Sequence, residues 1–126
     1  MRNGRYYHGC FSVKERGNVT KVYVFGGDNG SAMKSTEVLN VSDLKWSDGP
    51  SLPFPMYGNA GVPSVTDSYH GFSVGGITGY NGTYLKTVLG LENSNRNQRW
   101  VEVGSLKEPR RSHTVVNTPT SLLNSC

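Results

Sequence analysis

The amino-acid sequence repeats itself with a period of about fifty residues, and this period constrains the fold more than any other feature. Two mostly apolar runs each end in a pair of glycines, Gly26–Gly27 in the first and Gly75–Gly76 in the second. The chain's two tryptophans, Trp46 and Trp100, follow the glycine pairs at comparable distances. Because the landmarks recur in one order, the chain is predicted to consist of consecutive copies of one structural unit.

A third landmark opens each copy of the repeat. Residues 5–9 (RYYHG) open the first copy, residues 56–60 (MYGNA) open the second, and residues 110–114 (RRSHT) open another. The order of opening, apolar run, glycine pair and tryptophan resembles the kelch repeat, whose period is about 50 residues. The resemblance extends over two complete repeats and the start of a third. Asn59 departs from it, because the other openings have His8 and His113 at this place.

Kelch repeats form four-stranded antiparallel blades of a β-propeller, so the resemblance implies an all-β fold. The composition agrees, because 16 glycines and only 17% charged residues are untypical of a helical bundle. We predict first strands at 9–14 and 61–65, second strands at 21–25 and 71–74, third strands at 36–41 and 87–91, and fourth strands that begin at Trp46 and Trp100. A self-contained β-sandwich is the alternative.

The repeats also predict domain boundaries and the need for further blades. The chain is predicted to be one kelch-repeat region over residues 1–126, with blade one at about 5–54, blade two at about 57–108 and the start of a third repeat at about 109–126. A propeller contains about 4–8 blades. Two repeats do not close such a ring, so we expect the chain to be part of a longer protein that supplies the other blades.

The glycine pairs and the tryptophans are the predicted structural residues. Glycine adopts positive φ freely and allows another backbone to approach closely, which explains Gly26, Gly27, Gly75 and Gly76 at the strand ends. Trp46 and Trp100 are predicted to fill the wedge between neighbouring blades, where each side chain buries about 150–250 Å².

The sequence offers few groups for catalysis or metal binding. The 9 acidic residues are dispersed, and His8 and His113 share one position of the repeat, which indicates a structural role. No helical pattern follows the glycine-rich residues 26–30, so a phosphate-binding loop is not predicted. We therefore expect no enzyme activity, no metal and no cofactor. The alternative is part of a kelch-fold enzyme, such as a galactose-oxidase-like copper oxidase or a sialic-acid epimerase.

Charge and cysteine content bear on partners and location. The net charge is +4, but the basic residues are scattered, so nucleic-acid binding is not expected. No apolar run is long enough to span a membrane. The two cysteines, Cys10 and Cys126, form no disulfide framework and favour a reducing, cytoplasmic location. Secretion is the alternative, since four glycosylation sequons occur, at Asn18, Asn29, Asn40 and Asn81.

The resemblance implies a platform that binds a protein or peptide, as in substrate receptors of ubiquitin ligases and actin-associated scaffolds. Such platforms use the loops along one rim, which here are residues 28–35, 53–58, 77–86 and 107–112. These loops supply the predicted partner-binding residues, Lys34, Tyr57, Tyr80, Tyr84, Lys86, Arg110 and Arg111. Tyrosine and arginine are frequent at binding hot spots, and arginine pairs with carboxylates, so an acidic peptide is the favoured partner. The alternative is that Arg110, like Arg5, is only a recurrent feature of the repeat opening.

Overall fold

The chain folds into two four-stranded antiparallel sheets, each built from consecutive parts of the sequence. The computed structural model describes residues 1–117. Sheet one contains β1 (Gly9–Lys14), β2 (Thr20–Phe25), β3 (Thr36–Asn40) and β4 (Lys45–Gly49). Sheet two contains β6 (Ala60–Pro63), β7 (Tyr69–Val74), β9 (Thr87–Glu92) and β10 (Trp100–Ser105). A two-residue ladder joins β5 (Met56–Tyr57) to β8 (Ile77–Thr78), and Arg16–Asn18 form a 3-10 turn.

The predicted all-β fold with four-stranded antiparallel sheets is confirmed. In each sheet the strands lie side by side in chain order, whereas the strands of an immunoglobulin-type sandwich cross between its two sheets. The structure therefore has the arrangement expected of propeller blades. The division of residues 1–126 into two repeats and the start of a third stays a prediction, and its last part, 118–126 with Cys126, lies outside the described residues.

Several predicted strand limits are wrong by one or two residues: β2, β4, β6 and β7 begin earlier, at Thr20, Lys45, Ala60 and Tyr69, and β9 ends later, at Glu92. Two predicted strands extend too far, and local side-chain hydrogen bonds explain both. The first strand of the second repeat ends at Pro63 instead of 65, because the Ser64 hydroxyl accepts the backbone N–H of Thr66 and closes a turn. The third strand of the first repeat ends at Asn40 instead of 41, because the Asn40 side chain accepts the N–H of Ser42. Such bonds give the backbone an alternative to the ladder.

The hydrophobic core lies between the two sheets. The indole ring of Trp100 in β10 lies 4.8 Å from the ring of Phe25 and 6.2 Å from that of Phe11, both in sheet one. Its Nε1–H donates to the carbonyl oxygen of Pro50 at 3.0 Å, so the buried polar atom of the indole is satisfied. The other core residues are Tyr23, Val38, Leu52, Met56, Leu89 and Leu91.

The two tryptophans occupy the same register position but different environments. Trp46 is paired with Leu39, and Trp100 is paired with Leu91. Trp100 is 5% exposed, whereas Trp46 is only half-buried. Because side chains alternate across a sheet, Trp46 lies on the face of sheet one opposite to core residue Val38. The wedge position predicted for both tryptophans is therefore seen for Trp100 only, since Trp46 is not between the two sheets of the described chain.

The glycine pairs mark close contacts between the backbones of successive repeats. Gly26 has φ 66° and Gly75 has φ 62°, a region that other residues rarely adopt. A Cβ atom on Gly26 would lie 2.7 Å from the carbonyl oxygen of Met56, and one on Gly75 would lie 2.6 Å from that of Arg110. Both reasons given for glycine at these positions, positive φ and close backbone approach, therefore apply.

A buried ion pair covers part of the face of sheet one that carries Trp46. A guanidinium nitrogen of Arg5 lies 2.7 Å from a carboxylate oxygen of Glu37, and both side chains are at most 1% exposed. Arg5 also donates to the carbonyl oxygens of Gly26 and Ser35, each at 3.0 Å. Burial disfavours the charged form of Glu37, but the backbone N–H of Arg2 and the Arg5 guanidinium outweigh this effect and lower the pKa of Glu37.

The second repeat has apolar residues where the first has this ion pair. Glu37 is paired with the residue two before Gly26, and Leu89 is paired with the residue two before Gly75. Met56 stands in the second opening where Arg5 stands in the first. Met56 and Leu89 both belong to the core. One position of the repeat is therefore filled by opposite charges in one copy and by apolar side chains in the other.

We predict that Trp100→Ala lowers the free energy of unfolding by about 3–5 kcal/mol, because a large aromatic core residue is removed. Trp46→Ala should cost clearly less, because its side chain is already partly in solvent. Chemical denaturation followed by circular dichroism measures both values, and equal losses would contradict the different roles given to the two side chains.

We predict that Glu37→Ala destabilises the fold by about 3–5 kcal/mol, because it leaves the buried Arg5 guanidinium without its counter-charge. The double variant Arg5→Met with Glu37→Leu copies the second repeat and should recover most of this loss, since a buried ion pair is often replaceable by packed apolar residues. Urea denaturation of the two variants and the parent decides the matter. A double variant no more stable than Glu37→Ala would show that the two sites are not equivalent.

Candidate functional site

The four predicted loops, residues 28–35, 53–58, 77–86 and 107–112, lie along one edge of the sheets and are called the rim here. Backbone hydrogen bonds join neighbouring loops. The N–H of Met56 donates to Met33, and that of Gly79 donates to Pro55. The loop at 107–112 is joined in the same way to two others. The N–H of Arg110 donates to the carbonyl oxygen of Leu85 in the loop at 77–86, and that of Ser112 donates to Gly58 in the loop at 53–58. Loops that are distant in sequence therefore form one continuous surface.

Two of the predicted partner-binding residues form a direct pair on the rim. The Nε–H of Arg111 donates to the hydroxyl oxygen of Tyr84 at 2.9 Å, and its guanidinium carbon lies 5.4 Å from the centre of the Tyr84 ring. Both side chains are exposed. The hydrogen bond and the cation–π contact hold the guanidinium over the ring. Arg111 has further N–H groups, which are suited to a carboxylate.

The other predicted residues are placed along the same surface. Tyr57 lies in β5 and is paired with Ile77, which in turn is bridged to Tyr84. Tyr80 is 74% exposed, and its ring centre lies 6.5 Å from that of Phe54. The side chains of Lys34, Lys86 and Arg110 are exposed.

Arg5 and Arg110 differ although they occupy the same place in the repeat opening. Arg5 is buried against Glu37, whereas Arg110 is exposed. The Arg110 backbone makes the contact that belongs to the repeat, because its carbonyl oxygen accepts the N–H of Gly76 at 2.8 Å. The two residues therefore share a backbone position of the repeat but not a side-chain environment.

Sequence reasoning missed two tyrosines beside the rim. Tyr6 and Tyr7 are 54% and 61% exposed. Tyr6 is joined to the rim through Asp28, whose carboxylate accepts its hydroxyl at 2.9 Å. The signal was present, because Tyr6 occupies the place in the first opening that predicted partner-binding residue Tyr57 has in the second. With these additions, five of the chain's seven tyrosines lie on this edge.

A polar cleft of about 780 Å³ opens at the opposite edge, which the sequence did not predict. It lies where the β1–β2 and β6–β7 connections face each other. His70 in this cleft stacks on the ring of Tyr23 at 5.4 Å, and its Nε2 lies 3.0 Å from the amide nitrogen of Gln98. Lys21 and Glu15 form an ion pair at 2.8 Å beside them. The β7 ladder shifts register between Tyr69 and Gly71, at His70, and such an irregularity carries no signal in the sequence.

The folded state lowers the pKa of all three histidines. Burial lowers the pKa of His70, of His8 and of His113. Arg5 at His8 and Arg110 at His113 lower the pKa further. At His70 the Glu15 carboxylate opposes the effect of burial, and Lys21 adds to it. A neutral His70 ring accepts a hydrogen bond from the Gln98 amide, which a protonated ring does not.

Among residues 1–117, no group of three or more His, Cys, Asp or Glu side chains is arranged to share a metal ion. In the same residues, no helix is long and apolar enough to cross a membrane.

Comparison with known families agrees with the architecture. Residues 20–53 match the family model of the Kelch motif. The resemblance to the kelch repeat is thereby confirmed for this segment. The matched segment begins with β2, includes the glycine pair, β3 and β4 of sheet one, and ends in the rim at residue 53. No curated protein matches the chain. The kelch match and the geometry of sheet one therefore describe the same blade.

We predict that the fold loses stability as the pH falls through about 6.5, the ordinary pKa of histidine. Because the folded state lowers the pKa of His8, His70 and His113, the unfolded chain binds more protons in this range, and the free energy of unfolding decreases. Melting temperatures at about pH 7.5 and 5.5 measure the effect. His70→Gln should reduce the change in melting temperature between the two pH values. An unchanged difference would show that His70 does not contribute to it.

Proposed function

We propose that this chain is a protein-interaction module, part of a kelch propeller, which binds an acidic segment of a protein partner on the rim. The observation that carries the proposal is the continuous surface formed by the four hydrogen-bonded loops, on which exposed tyrosines and arginines meet. A rigid scaffold that presents loops is the usual arrangement of a binding surface.

The chemistry of the rim favours a carboxylate-bearing partner. Arg110 and Arg111 are adjacent and exposed, and the Arg111 guanidinium is already oriented by Tyr84. A pre-oriented side chain loses less conformational entropy when it binds. Tyrosines contribute large contact areas at low entropic cost, which is why they are frequent in binding surfaces.

Within this class we place the chain among the substrate receptors of ubiquitin ligases or the actin-associated scaffolds, with further blades supplied by the parent protein. The kelch motif at residues 20–53 supports this class of role. A cytoplasmic location is proposed on the low cysteine content.

Panning a random-peptide phage library on the chain tests the proposal. We expect enrichment of peptides that contain Asp or Glu. Arg110→Glu and Tyr80→Ala should each weaken binding of the selected peptides by about 1–2 kcal/mol. The melting temperature should change little, because both side chains are exposed.

Matched controls lie at the opposite edge. Arg16→Glu makes the same change of charge as Arg110→Glu, and Val65→Ala removes a side chain that is 82% exposed. Both should leave peptide affinity unchanged. No enriched peptide, or equal loss of binding in rim and control variants, would overturn the rim as the binding surface.

A further inference from the structure

We propose that Tyr6 and Tyr7 form a second contact for the same partner, a shelf that seats an apolar side chain near the acidic residue. This inference rests on the proposed function and adds to it the chemistry of the bound segment. It assigns a role to two residues outside the four rim loops.

The two rings form an open apolar surface. Their centres are 5.2 Å apart, and the planes meet at 71°, an edge-to-face arrangement. More than half of each side chain is in solvent. The Tyr6 hydroxyl is held by Asp28, which fixes the ring. An apolar side chain laid against these rings removes apolar surface from water, and the ring already held in place loses little entropy.

The backbone at Tyr7 indicates that folding alone does not explain this residue. Tyr7 has φ 53°, and the equivalent residues of the other openings, Gly58 and Ser112, have φ 67° and 51°. The position is thus left-handed in all three openings, and glycine, as in the second repeat, fits it without strain. Because Tyr7 is 61% exposed, packing of its side chain compensates little for the backbone strain of this conformation. Strained residues of this kind concentrate at functional sites.

The shelf lies within reach of the arginines. The N–H of Gly58 donates to the carbonyl oxygen of Tyr7 at 2.7 Å. The N–H of Ser112 donates to the carbonyl oxygen of Gly58 at 2.8 Å. Hydrogen-bonded segments are about 5 Å apart, so two steps separate Tyr7 from Ser112 by about 10 Å. An extended peptide advances about 3.3 Å per residue. The bound segment therefore carries an apolar residue about three positions from the acidic residue that pairs with Arg110 or Arg111.

The experiment compares two glycine substitutions that relieve the same strain. Tyr7→Gly acts on the shelf, and Leu44→Gly acts on an exposed residue with φ 58° in the β3–β4 turn at the opposite edge. Both variants should melt at a higher temperature than the parent chain. Synthetic peptides from the phage selection should bind Tyr7→Gly about tenfold more weakly and Leu44→Gly with unchanged affinity. Tyr7→Asn is the second variant, because asparagine tolerates positive φ.

The bound side chain is tested by a double-mutant cycle. Changing the apolar residue of the peptide to serine should weaken binding to the parent chain but not to Tyr7→Gly, since the contact is already absent there.

Three results would overturn the inference. If Tyr7→Gly and Tyr7→Asn bind normally while Arg110→Glu does not, the shelf is wrong and the proposed function stands. If both Tyr7 variants lose binding only together with a lower melting temperature, Tyr7 is structural. If no peptide is selected, the proposed function and the shelf both fail.

Discussion

The fold depends on the contact between each glycine pair and the opening of the next repeat. Gly27 donates its N–H to the carbonyl oxygen of Met56, and Gly76 does the same to Arg110, each at 2.8 Å. This contact requires residues without Cβ, because the second backbone would otherwise be displaced. It also brings the start of one repeat to the strand ends of the preceding repeat, and the rim is formed where they meet. The binding surface proposed above is thus a direct result of how the repeats are joined.

The repeat preserves shape more strictly than chemistry. At one equivalent position the first copy buries Arg5 with Glu37, and the second copy buries Met56 with Leu89. Both pairs of side chains fill the space. Replacing one member of the ion pair leaves a buried charge without its partner, whereas the apolar pair has no such requirement. The openings show the same freedom, since three different residues, Tyr7, Gly58 and Ser112, all have a positive φ of similar size. Differences between copies at such positions are therefore informative about residues that serve something other than the fold.

Much of the fold was predictable from the sequence because glycine pairs and apolar runs are local signals with a fixed spacing. β1 was predicted with its observed bounds, and every other strand limit that was predicted lies within two residues of the observed one. The β5–β8 ladder was missed, because two residues carry no periodicity. The ion pair of Arg5 and Glu37 joins residues 32 positions apart, and no local pattern connects them. Similarly, alternation predicts two faces for a strand but does not tell which face is covered, so the different burial of Trp46 and Trp100 needed the structure.

The opposite edge is where the repeat can change length. The connection from β3 to β4 contains residues 41–44, whereas the connection from β9 to β10 contains residues 93–99. The longer connection leaves the pairing of Leu91 with Trp100 in the same register as that of Leu39 with Trp46. Insertions at this edge therefore lengthen a turn without moving the strands or the rim loops. For protein engineering, this makes residues 93–99 a natural place for an affinity tag, a fluorophore or a grafted peptide, at the far end of the strands from the proposed binding surface.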